Sequence, residues 1–153
     1  MCKFSLLCLV ILQFKRLILI TQPVPGMNGH YNHDDAPENI RALNRENEAA
    51  KTLSEQFDVY QNPKGDFNGK NPDYLINGEI YDCYSPSSDK VRNIASNIDE
   101  FKIQSGQTSN VVINLDDSGV TLAEMSQQLK DFPIEGLDNA IGVKDGKIVN
   151  LFP

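Results

Sequence analysis

Asn71-Pro72-Asp73-Tyr74-Leu75-Ile76-Asn77-Gly78-Glu79-Ile80-Tyr81-Asp82-Cys83-Tyr84 reads as a β-hairpin. Two β-prone runs flank Asn77-Gly78, a pair suited to a two-residue type I′ turn because both central positions of that turn need positive φ. Counting outward pairs Ile76 with Glu79, Leu75 with Ile80 and Tyr74 with Tyr81, and sets Asp73 opposite Asp82. Like charges directly across an antiparallel pair repel, at a Cβ separation of about 5 Å. The pair therefore needs a proton, a nearby cation or open water at the hairpin end to persist. Two facing carboxylates are the kind of ligand pair that a divalent metal for phosphodiester cleavage requires.

Working outward, a helix is expected over 37–57, with Pro37 suited to its first turn. Leu43, Ala50, Leu53 and Phe57 recur on one stripe, and Glu46 falls in the middle of it. A carboxylate on a core-facing stripe is costly without compensation. Glu46 therefore either marks where the stripe runs out of core or supplies a third carboxylate. Residues 57–61 read as a strand, joined to the hairpin by a Pro/Gly/Asn-rich loop.

Downstream, Ser85-Pro86-Ser87-Ser88 can cap a helix over 89–104 that stops at Gly106. Its stripe is Val91, Ile94, Ala95, Ile98 and Phe101, and Lys102 lies in the same arc, where a lysine can bury its stem and extend its head. Residues 110–115 form a near-continuous apolar run typical of a central strand. Thr121-Leu122-Ala123-Glu124 is a capping box for a helix ending near residue 131, ahead of Pro133. Residues 140–143 and 147–151 make a last hairpin about Lys144-Asp145-Gly146. The fold class is α/β: a mixed sheet in the order helix, three strands, helix, strand, then a C-terminal helix and hairpin.

With 153 residues and 40% hydrophobic content, the chain can bury one ordinary core. Residues 28–153 are expected to form that single domain, and 1–27 to lie outside it as a leader or linker. Neither apolar run in the leader approaches the roughly 20 residues needed to span a bilayer, and no stable membrane insertion of the folded domain is expected. Lys15-Arg16 interrupts those runs, and Met27 follows a Pro/Gly linker, which leaves a signal-like segment and a mis-called start both open. From residue 28 onward, 11 basic side chains face 21 acidic ones, a formal −10. So acidic a domain is a poor non-specific binder of polyanions and suits a basic protein partner. Cys2, Cys8 and Cys83 have neither metal nor disulfide spacing. His30 and His33 sit in a polar, turn-rich stretch that reads as an opening loop.

Helix, three-stranded meander, helix and strand is similar to the core of the PD-(D/E)XK nuclease superfamily. That family's acidic helix residue, strand aspartate and acidic-x-lysine fall here on Glu46, Pro72-Asp73 and Asp82-Cys83-Tyr84. A second resemblance covers nearly all of 29–153. It is carried by Asn44-Arg45-Glu46-Asn47-Glu48-Ala49-Ala50, the hairpin through Ser85-Pro86, Ser105-Gly106-Gln107, Val111-Val112-Ile113-Asn114-Leu115 and Lys144-Asp145-Gly146. These stretches resemble the tRNA-nuclease C-terminal toxin domain of CdiA proteins, the effectors of contact-dependent growth inhibition.

The resemblance implies a delivered effector that cleaves tRNA in a target-cell cytoplasm, as a monomer or as a heterodimer with a cognate immunity protein. Asp73 and Asp82 would bind Mg²⁺, Mn²⁺ or Zn²⁺, and Glu46 would complete the ligand set or act as base. Tyr84 stands where the motif lysine is expected, so Lys102 is the candidate cation and Gln107 a candidate for positioning water or a phosphate oxygen. Lys90 and Arg92, with Lys102, would supply a local basic patch for substrate. Two other classes stay open. One is a metal-independent ribonuclease of the barnase/colicin/RelE-like group using His30, Tyr84, Arg92 or Gln107, and the other is a non-catalytic acidic interaction module.

Overall fold

The computed structural model describes residues 37–153; the leader, Cys2, Cys8, His30 and His33 lie outside the described residues. At the centre of the fold is the expected hairpin. Asn77 (φ 50°) and Gly78 (φ 91°) make the turn. They join β2 (Tyr74–Ile76) to β3 (Glu79–Tyr84). Ile76 faces Glu79, Leu75 faces Ile80 and Tyr74 faces Tyr81, as counted from the turn.

The other elements are α1 (Pro37–Leu53), β1 (Val59–Gln61), α2 (Val91–Ile98), β4 (Asn110–Asn114), α3 (Leu122–Asp131), β5 (Asn139–Lys144) and β6 (Lys147–Phe152). All six strands form one sheet in chain order. The β1–β2 and β2–β3 pairs are antiparallel. Crossovers through α2 and α3 make β3–β4 and β4–β5 parallel. β6 then returns antiparallel to β5 over a turn at Asp145 and Gly146, both with positive φ. This is the mixed α/β sheet expected from the element order.

The alternation of side chains along the strands divides the core between the two faces of the sheet. Ala49, Ala50 and Leu53 of α1 pack on Val59, Tyr74, Ile76, Tyr81, Val112, Ile141 and Val143. On the other face, α2 and α3 bring Ile94, Ile98, Met125 and Leu129 against Val111, Ile113, Ala140 and Leu151. Buried on both faces, β4 needs the continuous apolar run that marks it in the sequence. Gly142 has no room for a side chain: a Cβ there would come within 2.6 Å of Leu122 and 2.7 Å of Leu151. The Thr121/Glu124 capping box is present at the start of α3.

Four local readings need correction. α1 ends at Leu53 rather than Phe57, and the Phe57 amide closes the final turn on the Leu53 carbonyl. β1 is accordingly three residues, not five. Ser85 to Ser88 do not cap α2, whose N-cap is Lys90 without a side-chain cap. Finally, the helix following Ile98 widens into a π turn, Asp99–Ile103, closed by the Gln104 amide on the Asp99 carbonyl at 2.8 Å. The extra residue breaks the phase set by Val91, Ile94 and Ile98. Ile103 enters the core, while Phe101, expected on the buried stripe, is 58% exposed.

Candidate active site

The hairpin, α1 and the π turn meet around β3, an interior strand of the sheet. Asp82, inside β3, is 4% exposed. Its Oδ2 lies 3.3 Å from Lys102 Nζ, and its Oδ1 is buried with no hydrogen-bond partner. Asp73 precedes β2, and its Oδ2 accepts from the Cys83 amide at 2.7 Å. The carboxylate expected across the hairpin from Asp82 is therefore held against β3 by its backbone. Cys83 points to the α1 face, where burial pushes its thiol pKa up to about 12.

Glu46 reaches the same place from α1. Side chains from two strands grip the helix backbone at this level: the Tyr74 hydroxyl donates to the Glu46 carbonyl at 2.7 Å. Asn114 Nδ2 donates to the preceding carbonyl, that of Arg45, at 3.0 Å. Arg41 and Arg45 clasp Asp117 in the β4–α3 loop at 2.7 and 2.6 Å. These contacts fix the sliding and rotation of α1 over the sheet, and so fix Glu46.

Gln61, fully buried in β1, donates from Nε2 to Glu46 Oε1 at 2.8 Å and to Asn47 Oδ1 at 2.7 Å. Sequence reasoning missed Gln61 and Tyr74. The available signal for Gln61 was parity: a polar residue two positions after Val59 must share its inward face.

The carboxylates perturb one another. Burial, then the neighbouring Asp73 charge, raises the Glu46 pKa to about 7; Gln61 and Lys102 oppose the rise, and Asp82 adds to it. Asp73 is also pushed up, chiefly by burial and then by Asp82, against the pull of the Cys83 amide and Lys102. Glu46, Asp73, Asp82 and Lys102 thus form one interacting set drawn from four segments of chain.

Other expected site residues fall elsewhere. Gln107 is exposed on the loop before β4, and Lys90 is exposed ahead of α2. Arg92 is exposed, with its guanidinium 5.8 Å from the centre of the Phe132 ring. Tyr84, at the position of the motif lysine, turns toward α2, where its hydroxyl accepts from Asn97 Nδ2 at 2.8 Å. Lys102, from the π turn, is the cation that meets Asp82.

Among the described residues no three His, Cys, Asp or Glu side chains are grouped to hold a metal ion. Asp73 and Asp82 nevertheless form an oxygen-only pair with an unpartnered buried oxygen. Such a pair fits a hard cation that takes one or two carboxylates and fills its shell with water and phosphate oxygens.

The sequence profile of the contact-dependent growth inhibition CdiA C-terminal domain matches residues 70–148, just over half of the chain. The chain belongs to the CdiA C-terminal domain family. This CdiA C-terminal domain superimposes with a TM-score of 0.78 and 40% identity on a chain of a CdiA-CT/CdiI toxin and immunity complex from Burkholderia pseudomallei. The match covers 84% of this chain and 97% of that one. It is also 45% identical over 115 residues, or 74% of its length, to the tRNA nuclease CdiA-2 of Burkholderia pseudomallei strain 1026b. The matched part is 4% of that relative's length. No helix among the described residues is long and apolar enough to cross a membrane.

Proposed function

We propose that this CdiA C-terminal domain is a toxin that cleaves tRNA by metal-dependent phosphodiester hydrolysis, and that a cognate immunity protein restrains it. The observation that carries the reading is the convergence of Glu46, Asp73, Asp82 and Lys102, with Asp82 Oδ1 buried and unpartnered. The similarity to a tRNA nuclease and to a toxin of a toxin–immunity complex supports the substrate and the partner. The domain would act after delivery into a target cell, in keeping with a contact-dependent growth inhibition family.

Asp73 and Asp82 would hold Mg²⁺ or Mn²⁺, which supplies charge neutralisation at the phosphate and a lowered water pKa. Glu46, with a pKa of about 7, suits a general base near neutrality. Gln61 holds its Oε1 and leaves Oε2 to take the proton of the attacking water. As the water oxygen bonds to phosphorus, the bond to the leaving ribose oxygen breaks, and that oxygen takes up a proton from solvent water. Lys102 then faces the negative charge that develops on the phosphoryl oxygens, the service the missing motif lysine would give. Tyr84, a candidate for metal-independent acid–base work, has its hydroxyl engaged by Asn97.

The test is cleavage of total tRNA by the full chain in Mg²⁺, Mn²⁺ or EDTA, beside Asp82→Ala. Cutting that needs metal and disappears in the variant is the expected result. Cutting that persists in EDTA would move the assignment to a metal-independent ribonuclease. A folded chain that cuts neither tRNA nor DNA in any buffer would be a binding module instead.

A further inference from the structure

Away from the carboxylates, a cleft of about 370 Å³ opens between α2 and the end of α3. Its walls include Arg92, Asp99, Gln104, Gln128, Phe132 and Glu135. We propose that this cleft receives an unstacked nucleobase of the RNA substrate, with the Phe132 ring as its stacking surface. The proposal rests on the nuclease reading and adds a substrate subsite to it.

Three observations converge. First, the Phe132 ring is 59% exposed, although an apolar side chain of that size is ordinarily covered. The Arg92 guanidinium sits 5.8 Å from its centre, so an aromatic face and a planar cation stand together, the two surfaces on which single-stranded bases stack. Second, the remaining polar walls are carboxylates and amides. Asp99 and Glu135 repel phosphate but accept from the exocyclic amines and ring N–H groups of bases, and Gln104 and Gln128 both donate and accept. Gln104 Nε2 already meets Asp99 Oδ1 at 3.1 Å, which holds part of this rim in place.

Third, the cleft shares the π turn with the catalytic set. Asp99 and Gln104 bracket Lys102 on the π turn, and Lys102 reaches Asp82. The cleft wall and the phosphate-facing lysine are thus carried on the same helical turn. The charge balance points the same way. Residues 37–153 carry 11 basic and 19 acidic side chains, so phosphate attraction is weak and base contacts must supply binding and position.

The chain contains no Trp, so Phe132→Trp installs a single fluorescent reporter at the cleft. In an Asp82→Asn background that prevents cutting, single-stranded oligonucleotides should quench the indole emission saturably, and abasic strands of equal length should not. In the otherwise native chain, Phe132→Ala should raise KM for tRNA about tenfold, with Phe132→Tyr restoring it. Equal quenching by abasic and base-bearing strands would overturn the proposal, as would an unchanged KM in Phe132→Ala. Quenching by the immunity protein but not by RNA would reassign the cleft to a protein contact. Loss of the nuclease reading is separable: the native chain would then fail to cut tRNA whatever the indole reports.

Discussion

Glu46 has two observable consequences at the scale of a single residue. If its ionised form accepts the proton, kcat/KM should rise with pH through about 7, the value to which burial and Asp73 lift it. A pH–rate profile in saturating Mg²⁺ measures this, with the bound cation moving the midpoint down. Gln61→Leu removes the hydrogen bond that favours the ionised form, so its midpoint should lie above that of the native chain at unchanged metal concentration.

Stability tracks the same proton with the opposite sense. Between the ordinary value of 4.5 and about 7 the folded chain holds a proton that the unfolded chain has released. The Glu46 contribution is therefore fully present below about pH 4.5, is lost as pH rises toward 7, and is level beyond. Glu46→Gln should be more stable than the native chain at pH 8 in metal-free buffer, by roughly 2 kcal/mol. The difference should vanish near pH 4, and urea midpoints at the two pH values check it. No difference at pH 8 would mean that the carboxylate is not desolvated.

Among the elements, α1 matters most, because it delivers Glu46 without belonging to the sheet. Its clasp on the β4–α3 loop is Asp117, whose pKa Arg45 and Arg41 lower to about 2. Asp117→Asn should cost about 1–2 kcal/mol in urea unfolding at pH 7. It should also lower kcat more than Arg45→Lys does, since the double clasp sets the helix register. An unchanged kcat would show that Tyr74 and Asn114 hold α1 without help.

What could be read in advance also divides at this scale. The Asn77-Gly78 turn states its own register because every determinant lies within a dozen residues, and the Thr121/Glu124 cap is equally local. The π turn was illegible, since its widening depends on Ile103 finding the core and Lys102 finding Asp82. Gln61 escaped for the same reason: its partner lies 15 residues away on another element. Glu46 and Lys102 stood out because charges interrupt apolar stripes, a signal that marks misfit without naming the partner, and only the nuclease resemblance gave them roles.

For the whole molecule, the acidic balance would govern encounter with RNA under the proposed function. Few cations stand near the site, so few phosphates are neutralised and few counterions released. The slope of log KM for tRNA against log salt should have a magnitude of about 2 or less. A slope several times steeper would reveal a phosphate-binding surface beyond Lys90, Arg92 and Lys102. Binding of the immunity protein, by contrast, should weaken strongly with salt if that partner is basic.

The two-faced core also bears on timing. Glu46 arrives with the helix on one side of the sheet and Lys102 with the helix on the other, while the aspartates wait on the hairpin between them. On the proposed mechanism a refolding chain would stay inactive until both sides have docked, however early its hairpin forms. Recovery of cleavage should lag behind recovery of secondary structure and follow the slower of the two dockings. A chain that has just crossed into a new compartment would be armed by its last folding step, not its first.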